Sequence, residues 1–167
     1  EDNGVATGSP LHGTTSTSAR TECNWKNVDD STTAYSASPV TAGQNSYTKY
    51  QYGHFTGAFS LISSVLWAHT AGAMGTGLTI KGKVTSTYAT PGTAANAALT
   101  VDMTAAIAIG SGQAVLLSTT GPYDASPTAT LAAAGYTQYL ATQLQTTNAA
   151  APGDTAVATF TLQYSES

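Results

Sequence analysis

Charge is what this chain has least of. Only 8% of its residues are Asp, Glu, Lys or Arg, against roughly 25% in an average globular protein. Helices stabilised by ion pairs one turn apart are therefore almost excluded. The basic side chains are five, Arg20, Lys26, Lys49, Lys81 and Lys83, and the net charge is −4. Of these only Lys81 and Lys83 lie close together, too small a group to track phosphates, so no nucleic-acid partner is expected. Cysteine is scarce too. Cys23 is alone, which rules out an internal disulfide and with it a stapled mini-domain. No apolar run approaches the length of a membrane-spanning helix, and residues 1–21 are too polar for a signal peptide, so no membrane partner is expected. Weak self-repulsion leaves two routes to solubility: hydration of many hydroxyls, or a life packed against neighbours.

Groupings that carry chemistry are equally sparse. His12, His54 and His69 fall in three separate segments without the paired spacing of a metal site. Asp29 and Asp30 are adjacent, so in extended chain they point apart, while Asp102, Asp124 and Asp154 mostly mark turns, a poor set for calcium. Ser111 in Gly-Ser-Gly lacks the nucleophile-elbow pattern. The glycine-rich GAMGTG, residues 72–77, leads into a strand rather than a helix and reads as a connection, not a phosphate loop. Cys23 has only Lys26 nearby to lower its pKa. Glu1, Glu22 and Glu166 supply no glycosidase-like pair. The expectation is no enzyme, no catalytic residue, no metal and no cofactor.

What the chain does have is period two. In GLTIKGKVTSTYA, residues 77–89, Leu78, Ile80, Val84 and Tyr88 share one parity, while Thr79, Lys81, Lys83, Thr85 and Thr87 share the other. A pleated strand sends these sets to opposite faces, one buried and one polar. Around it, ECNWKNV (22–28) reads as a short first strand and 33–45 as a loop. The segment from Ser46 reads as β, with a parity switch near Gly53 and Gly57. Residues 65–70 read as a strand forming a hairpin with 77–89. TAANAAL (93–99) reads as a helical turn. Strands follow at 99–103, extending toward Ile107 and Ile109, and at 113–119 after the turn Gly110-Ser111-Gly112. Residues 121–127 are a Pro- and Asp-fixed loop. Segments 136–146 and 155–164 read as two strands a hairpin loop apart. About eight strands without a long helix point to one all-β domain, residues 22–167, an antiparallel β-sandwich with a jelly-roll-like order.

Residues 1–21, rich in Gly, Ser and Thr, read as a flexible amino-terminal arm. It is either a solvated tail or a segment that orders across a neighbouring subunit, with Val5, Leu11 and His12 as its anchors. The aromatic residues Trp25, Tyr47, Tyr50, Tyr52 and Trp67 suit either a sugar-binding platform or core and subunit contact, and the second is favoured. Trp25, Tyr50 and Tyr52 join the three arm residues as candidate interface positions.

The succession NWKNVDD (24–30), YTKYQYGHFTGAF (47–59), LWAHTAG (66–72), GLTIKGKVTSTYATP (77–91), GPYDASPTATLAAAGYTQYLATQLQT (121–146) and GDTAVATFTLQY (153–164) resembles a group of small virion structural proteins of tailed bacteriophages. The resemblance spans residues 24–164. It implies a non-enzymatic protein of the capsid surface, a decoration or cement protein or a related head or tail component. Its partners would be the major capsid protein or other virion subunits, with copies of itself in the assembly. An extracellular adhesin or carbohydrate-binding sandwich is the alternative, and a surface filament subunit completed by a neighbour's strand is a further one.

Overall fold

The structure, a computed structural model, describes residues 25–29, 33, 35–103, 113–153 and 158–167. These residues form an all-β fold of antiparallel sheets whose only helix is a single 3-10 turn, Tyr35–Ala37. There are ten strands rather than eight, because several are two or three residues long: β1 (Lys49–Gln51), β2 (His54–Phe55), β3 (Ile62–Ala71), β4 (Leu78–Thr85), β5 (Val101–Asp102), β6 (Gln113–Ala114), β7 (Leu117–Ser118), β8 (Gly135–Thr137), β9 (Tyr139–Thr146) and β10 (Thr159–Glu166). They pair as three sheets, β1-β9-β4-β5, β10-β3-β6 and β2-β8-β7.

The period-two strand is β4, an inner strand. Its register sets Ile80 beside Leu144 and Val84 beside Leu140 on one face, and Lys81 beside Gln143 and Lys83 beside Ala141 on the other. Ile80 is fully buried and Lys83 is exposed, as the alternation requires. β9 departs from that rule. Tyr139, Leu140, Ala141, Thr142 and Gln143 are all buried, so both faces of this strand are covered.

Both expected hairpins are absent. β3 pairs with β10 and β6, whereas β4 pairs with β9 and β5; β9 and β10 likewise lie in different sheets. The connections Gly72–Gly77 and Thr147–Ala158 therefore cross from one sheet to another. Burial explains the choice. β4 carries Ile80 and Val84 on its covered face and β3 buries Ile62 and Val65, and these side chains pack into apolar clusters shared between sheets. The cluster of Ile80, Met103 and Leu140 accordingly takes Trp67 and Phe160 from the β10-β3-β6 sheet against it. A second cluster, Phe55, Ile62, Val65, Val115, Leu117 and Leu131, joins that sheet to β2-β8-β7. Each such aliphatic side chain contributes about 1.5–3 kcal/mol on burial.

One continuous corner links the sheets. β1 passes into β2 through Tyr52 and Gly53, and β8 into β9 through Gln138; β1 pairs with β9 but β2 pairs with β8. Gly53 donates its amide to Thr137 Oγ1 at 2.9 Å and accepts from the Thr137 amide at 2.9 Å. A Cβ on Gly53 would stand 2.5 Å from Leu162 Cδ2, so a larger residue at the corner requires the Leu162 side chain to shift. The parity switch expected here is present, with Tyr50 and Phe55 both buried.

Other local readings change. Residues 25–28 form no strand; isolated backbone bonds run from Tyr47 N to Lys26 O at 3.1 Å and from Asn27 N to Ser38 O at 3.0 Å. The 93–99 segment is not helical: Leu99 N reaches Asn96 O at 3.0 Å, and the Asn96 side chain accepts from Ala98 N at 3.1 Å, a side-chain-closed turn. QAVLLST splits into β6 and β7 in separate sheets. Ile107, Ile109, Gly110-Ser111-Gly112, the 1–21 arm and Asp154 lie outside the described residues.

Candidate interaction surface

Trp25 is the first described residue, and two contacts fix its ring. Its Nε1 donates to Thr142 Oγ1 on β9 at 3.3 Å, and its ring meets Phe160 of β10 edge-on, centroids 6.0 Å apart. It thus bridges the four-stranded sheet and the β10-β3-β6 sheet. Just beyond, Lys49 Nζ lies 3.7 Å from Asp29 Oδ1, and Lys49 is itself buried. Lys49 pairs with Thr142 in the β1–β9 ladder, so the ion pair and the indole sit on the same face. Removing either charge would strand the other in a largely dry site, so the pair fixes this segment's path. Trp25 therefore sits where the end strand β10 of one sheet meets the inner strand β9 of the other.

The sheet edges differ sharply in length. Among the described residues, five of the strands that end a sheet, β1, β5, β6, β2 and β7, have two or three residues; β10, the sixth, has eight. Short edges give another chain little to pair with, which is a common defence against strand addition. β10 has no Lys, Arg or Pro, and its one charge, Glu166, is at the end. Both register shifts of the β10–β3 ladder put the extra residue on β3, opposite Thr159–Phe160 and Gln163–Ser165. Ser64, in β3, takes a left-handed φ of 52° within the second of these. β10 therefore runs its length without a bulge of its own. Among the described residues it pairs only with β3.

The remaining candidate residues are scattered. Val5, Leu11 and His12 lie outside the described residues. Tyr50 is 4% exposed, inside a third cluster with Leu99, Tyr139 and Ala141. Burial pushes its phenol pKa up, offset in part by the Ala89 amide that donates to its oxygen at 3.2 Å. Tyr52 is half-buried, its ring edge-on to Tyr136 and Tyr139. Trp67 packs against two of the clusters. The five aromatics proposed for a sugar platform thus do not share one open surface. The rings that do stack at the surface are His54 and Tyr136, 4.3 Å apart and 8° from parallel.

Among the described residues, no three His, Cys, Asp or Glu side chains gather where a metal ion would need them. Asp29 and Asp102 pair with Lys49 and Lys81. Asp124 accepts from the Ser118 hydroxyl and from Ser126 N, which holds its carboxyl below the usual range, the Ser118 bond contributing most. That arrangement closes the 118–126 loop. No helix among the described residues is long and apolar enough to cross a membrane.

Two structural residues escaped the sequence reading. Tyr139 and Gln143 share the parity of their strand opposite to Leu140 and Leu144, and neither was singled out. Gln143 is fully buried, donating to the carbonyls of Ser46, Ala94 and Gly92 at 3.0, 2.9 and 3.3 Å and accepting from Asn96 N at 3.0 Å. It pins the 92–96 loop across the outer face of the four-stranded sheet. The run TFTLQYSE of β10, uncharged up to Glu166, is the signal in the sequence for the long edge. Compared with protein-family models, curated proteins and solved structures, the chain matches none.

Proposed function

We propose that this chain is a non-enzymatic structural subunit of a virion surface, a capsid decoration or cement protein that binds the assembled shell through subunit contacts and its amino-terminal arm. The observation that carries this reading is the root of the arm. Trp25 is held by Thr142 and Phe160, and Asp29 by Lys49, so tension on residues 1–24 is delivered to two sheets at once. A subunit that binds the assembled lattice and not its free components shifts the assembly equilibrium toward the shell. A rigid domain with a firmly rooted arm suits that task. The finer fold reading is a proposal too: apolar clusters shared between sheets support a sandwich, for which a jelly-roll-like order is the proposed topology.

The test is occupancy on purified shells of the full chain against a variant lacking residues 1–21. The expected result is binding at least about tenfold weaker, or about 1.4 kcal/mol, with the thermal transition of the domain retained. Equal occupancy removes the arm from the reading.

A second reading, a filament subunit completed by a neighbour's strand, is favoured by the eight-residue β10 edge. The carbohydrate-binding alternative draws less support, since Tyr50 is interior and Tyr52 is engaged by two other tyrosines.

A further inference from the structure

We propose that Lys49 and Asp29 condense to an isopeptide bond, an amide between the lysine Nζ and the aspartate Cγ, which ties the segment entering the domain covalently to β1. The inference goes beyond the shell-binding reading and stands without it. It starts from where the lysine is. Lys49 lies opposite Thr142 in the β1–β9 ladder, and Thr142 lies opposite Gly82 of β4. That row is on the apolar face of the sheet, between the Val84–Leu140 and Ile80–Leu144 pairs. Met103 covers Gly82 there, close enough that an added Cβ would stand 2.7 Å from its Cγ. Period two calls for an apolar side chain on this face, and the position holds a buried lysine.

The second observation is its partner. Among the described residues the Lys49 ammonium meets one carboxylate, Asp29, with Nζ 3.7 Å from Oδ1 and the two side chains 6% and 19% exposed. Trp25, four residues before Asp29, reaches the same row, donating from Nε1 to Thr142 Oγ1 at 3.3 Å. A separation of 3.7 Å is too long for a hydrogen bond. The pair thus lacks the close geometry that offsets the desolvation of two interior charges. An amide between the same atoms carries no charge and removes that cost.

The reaction balances without an added reactant. A proton passes from the ammonium to the carboxylate, and the amine lone pair attacks Cγ. The Nζ–Cγ bond forms, the Cγ–O bond breaks, and the hydroxyl leaves with a proton from nitrogen as one water; nothing is oxidised or reduced. Holding both groups in place supplies proximity, which in well-oriented intramolecular reactions reaches an effective concentration of about 10⁵–10⁸ M. Residues 25–28 form no strand, so the bond does for this segment what a ladder does for others.

Peptide mapping of the full chain, digested with chymotrypsin after unfolding, is the test. Cleavage after Trp25, Tyr35, Tyr47 and Tyr50 leaves Asp29 in residues 26–35 and Lys49 in residues 48–50. The expected result is one branched peptide, a single water lighter than the two together, with fragment ions that put the junction at Asp29 and Lys49. The junction must be located because cyclisation of Glu1 also removes a water from the intact chain. Lys49→Met should return the peptide of residues 26–35 in linear form. Recovery of both linear peptides from the unmutated chain, after prolonged incubation of the folded protein at neutral pH, overturns the proposal. So does a junction at Asp30. The outcome is independent of shell occupancy: a chain without the bond can still bind through residues 1–21, and a chain with it can fail to.

Discussion

The side-chain amide of Gln143 lies 3.0 Å from the carbonyl oxygen of Ser46, 97 residues earlier in the chain. The same amide group reaches Ala94 and Gly92, and its oxygen accepts from Asn96 and from Gln145 Nε2. A fully buried polar side chain is tolerable only because its donors and acceptor are met. The bonds also decide where the 92–96 loop lies, covering a sheet face that would otherwise be wet. Gln143→Leu keeps the volume and orphans the partners. Stability is expected to fall by about 2–4 kcal/mol, with hydrogen exchange at Asn96 and Ala98 accelerating before the rest of the domain. A loss confined to global stability, without early exchange there, would show that the amide does not hold the loop.

His69 presents the reverse case. It is 1% exposed, faces Phe160 at 5.4 Å, and neither ring nitrogen has a hydrogen-bond partner. Replacing it with Phe removes two desolvated nitrogens while keeping a flat ring. The expected gain is about 1 kcal/mol, a rise of about 2–4 °C in the melting temperature for a chain of this size. A lower melting temperature would mean that the imidazole does more here than fill space.

Gly77 and Gly92 should respond oppositely to alanine. Gly77 has φ +76°, and an added Cβ would stand 2.6 Å from the Ala150 amide nitrogen, backbone that has no rotamer to escape into. Gly77→Ala is expected to cost about 2–3 kcal/mol or more. A Cβ added at Gly92 would meet nothing within 4 Å. Gly92→Ala is expected to be neutral or stabilising by about 0.4–1 kcal/mol, through the unfolded chain. Urea midpoints of the two variants decide it.

Asp124 and Tyr50 bracket the pH range of stability from opposite ends. The Asp124 pKa is lowered in the fold by Ser118 and Ser126, so its contribution is present above the unfolded value near 3.9 and disappears as pH falls through the lower folded value. The Tyr50 pKa is raised by burial, so its contribution is present below the unfolded value of about 10 and disappears as pH rises toward the higher folded value. Melting temperature against pH should therefore flatten at the acid end in Asp124→Asn and at the alkaline end in Tyr50→Phe. An unchanged alkaline limb in the second variant would place that transition on another group.

Much of this was legible beforehand, for identifiable reasons. The all-β class follows from β4, whose Leu78, Ile80 and Val84 alternate with Thr79, Lys81 and Lys83, and from a charge content too low to sustain exposed helices. The corner at Gly53 was marked by its glycine. Trp25 stood among the aromatics expected in core or subunit contact, and the structure puts it at the meeting of two sheets.

Partnership was not legible, because period two states that a strand has a covered face without saying what covers it. β3 and β4 are joined by a short glycine-rich link that suits a hairpin, yet they lie in different sheets, and their buried side chains meet in clusters that draw on residues from distant strands. Gln143 reads as surface in any local window; its burial depends on Ser46, Gly92 and Ala94, brought in from distant parts of the chain. The sequence by itself determined the strand alternation, the near absence of helix and the low charge, all local properties of neighbouring residues. Only the tertiary structure decided which strands end the sheets, and so left β10 with eight residues at a margin, because an edge is defined by the strand that does not come next to it.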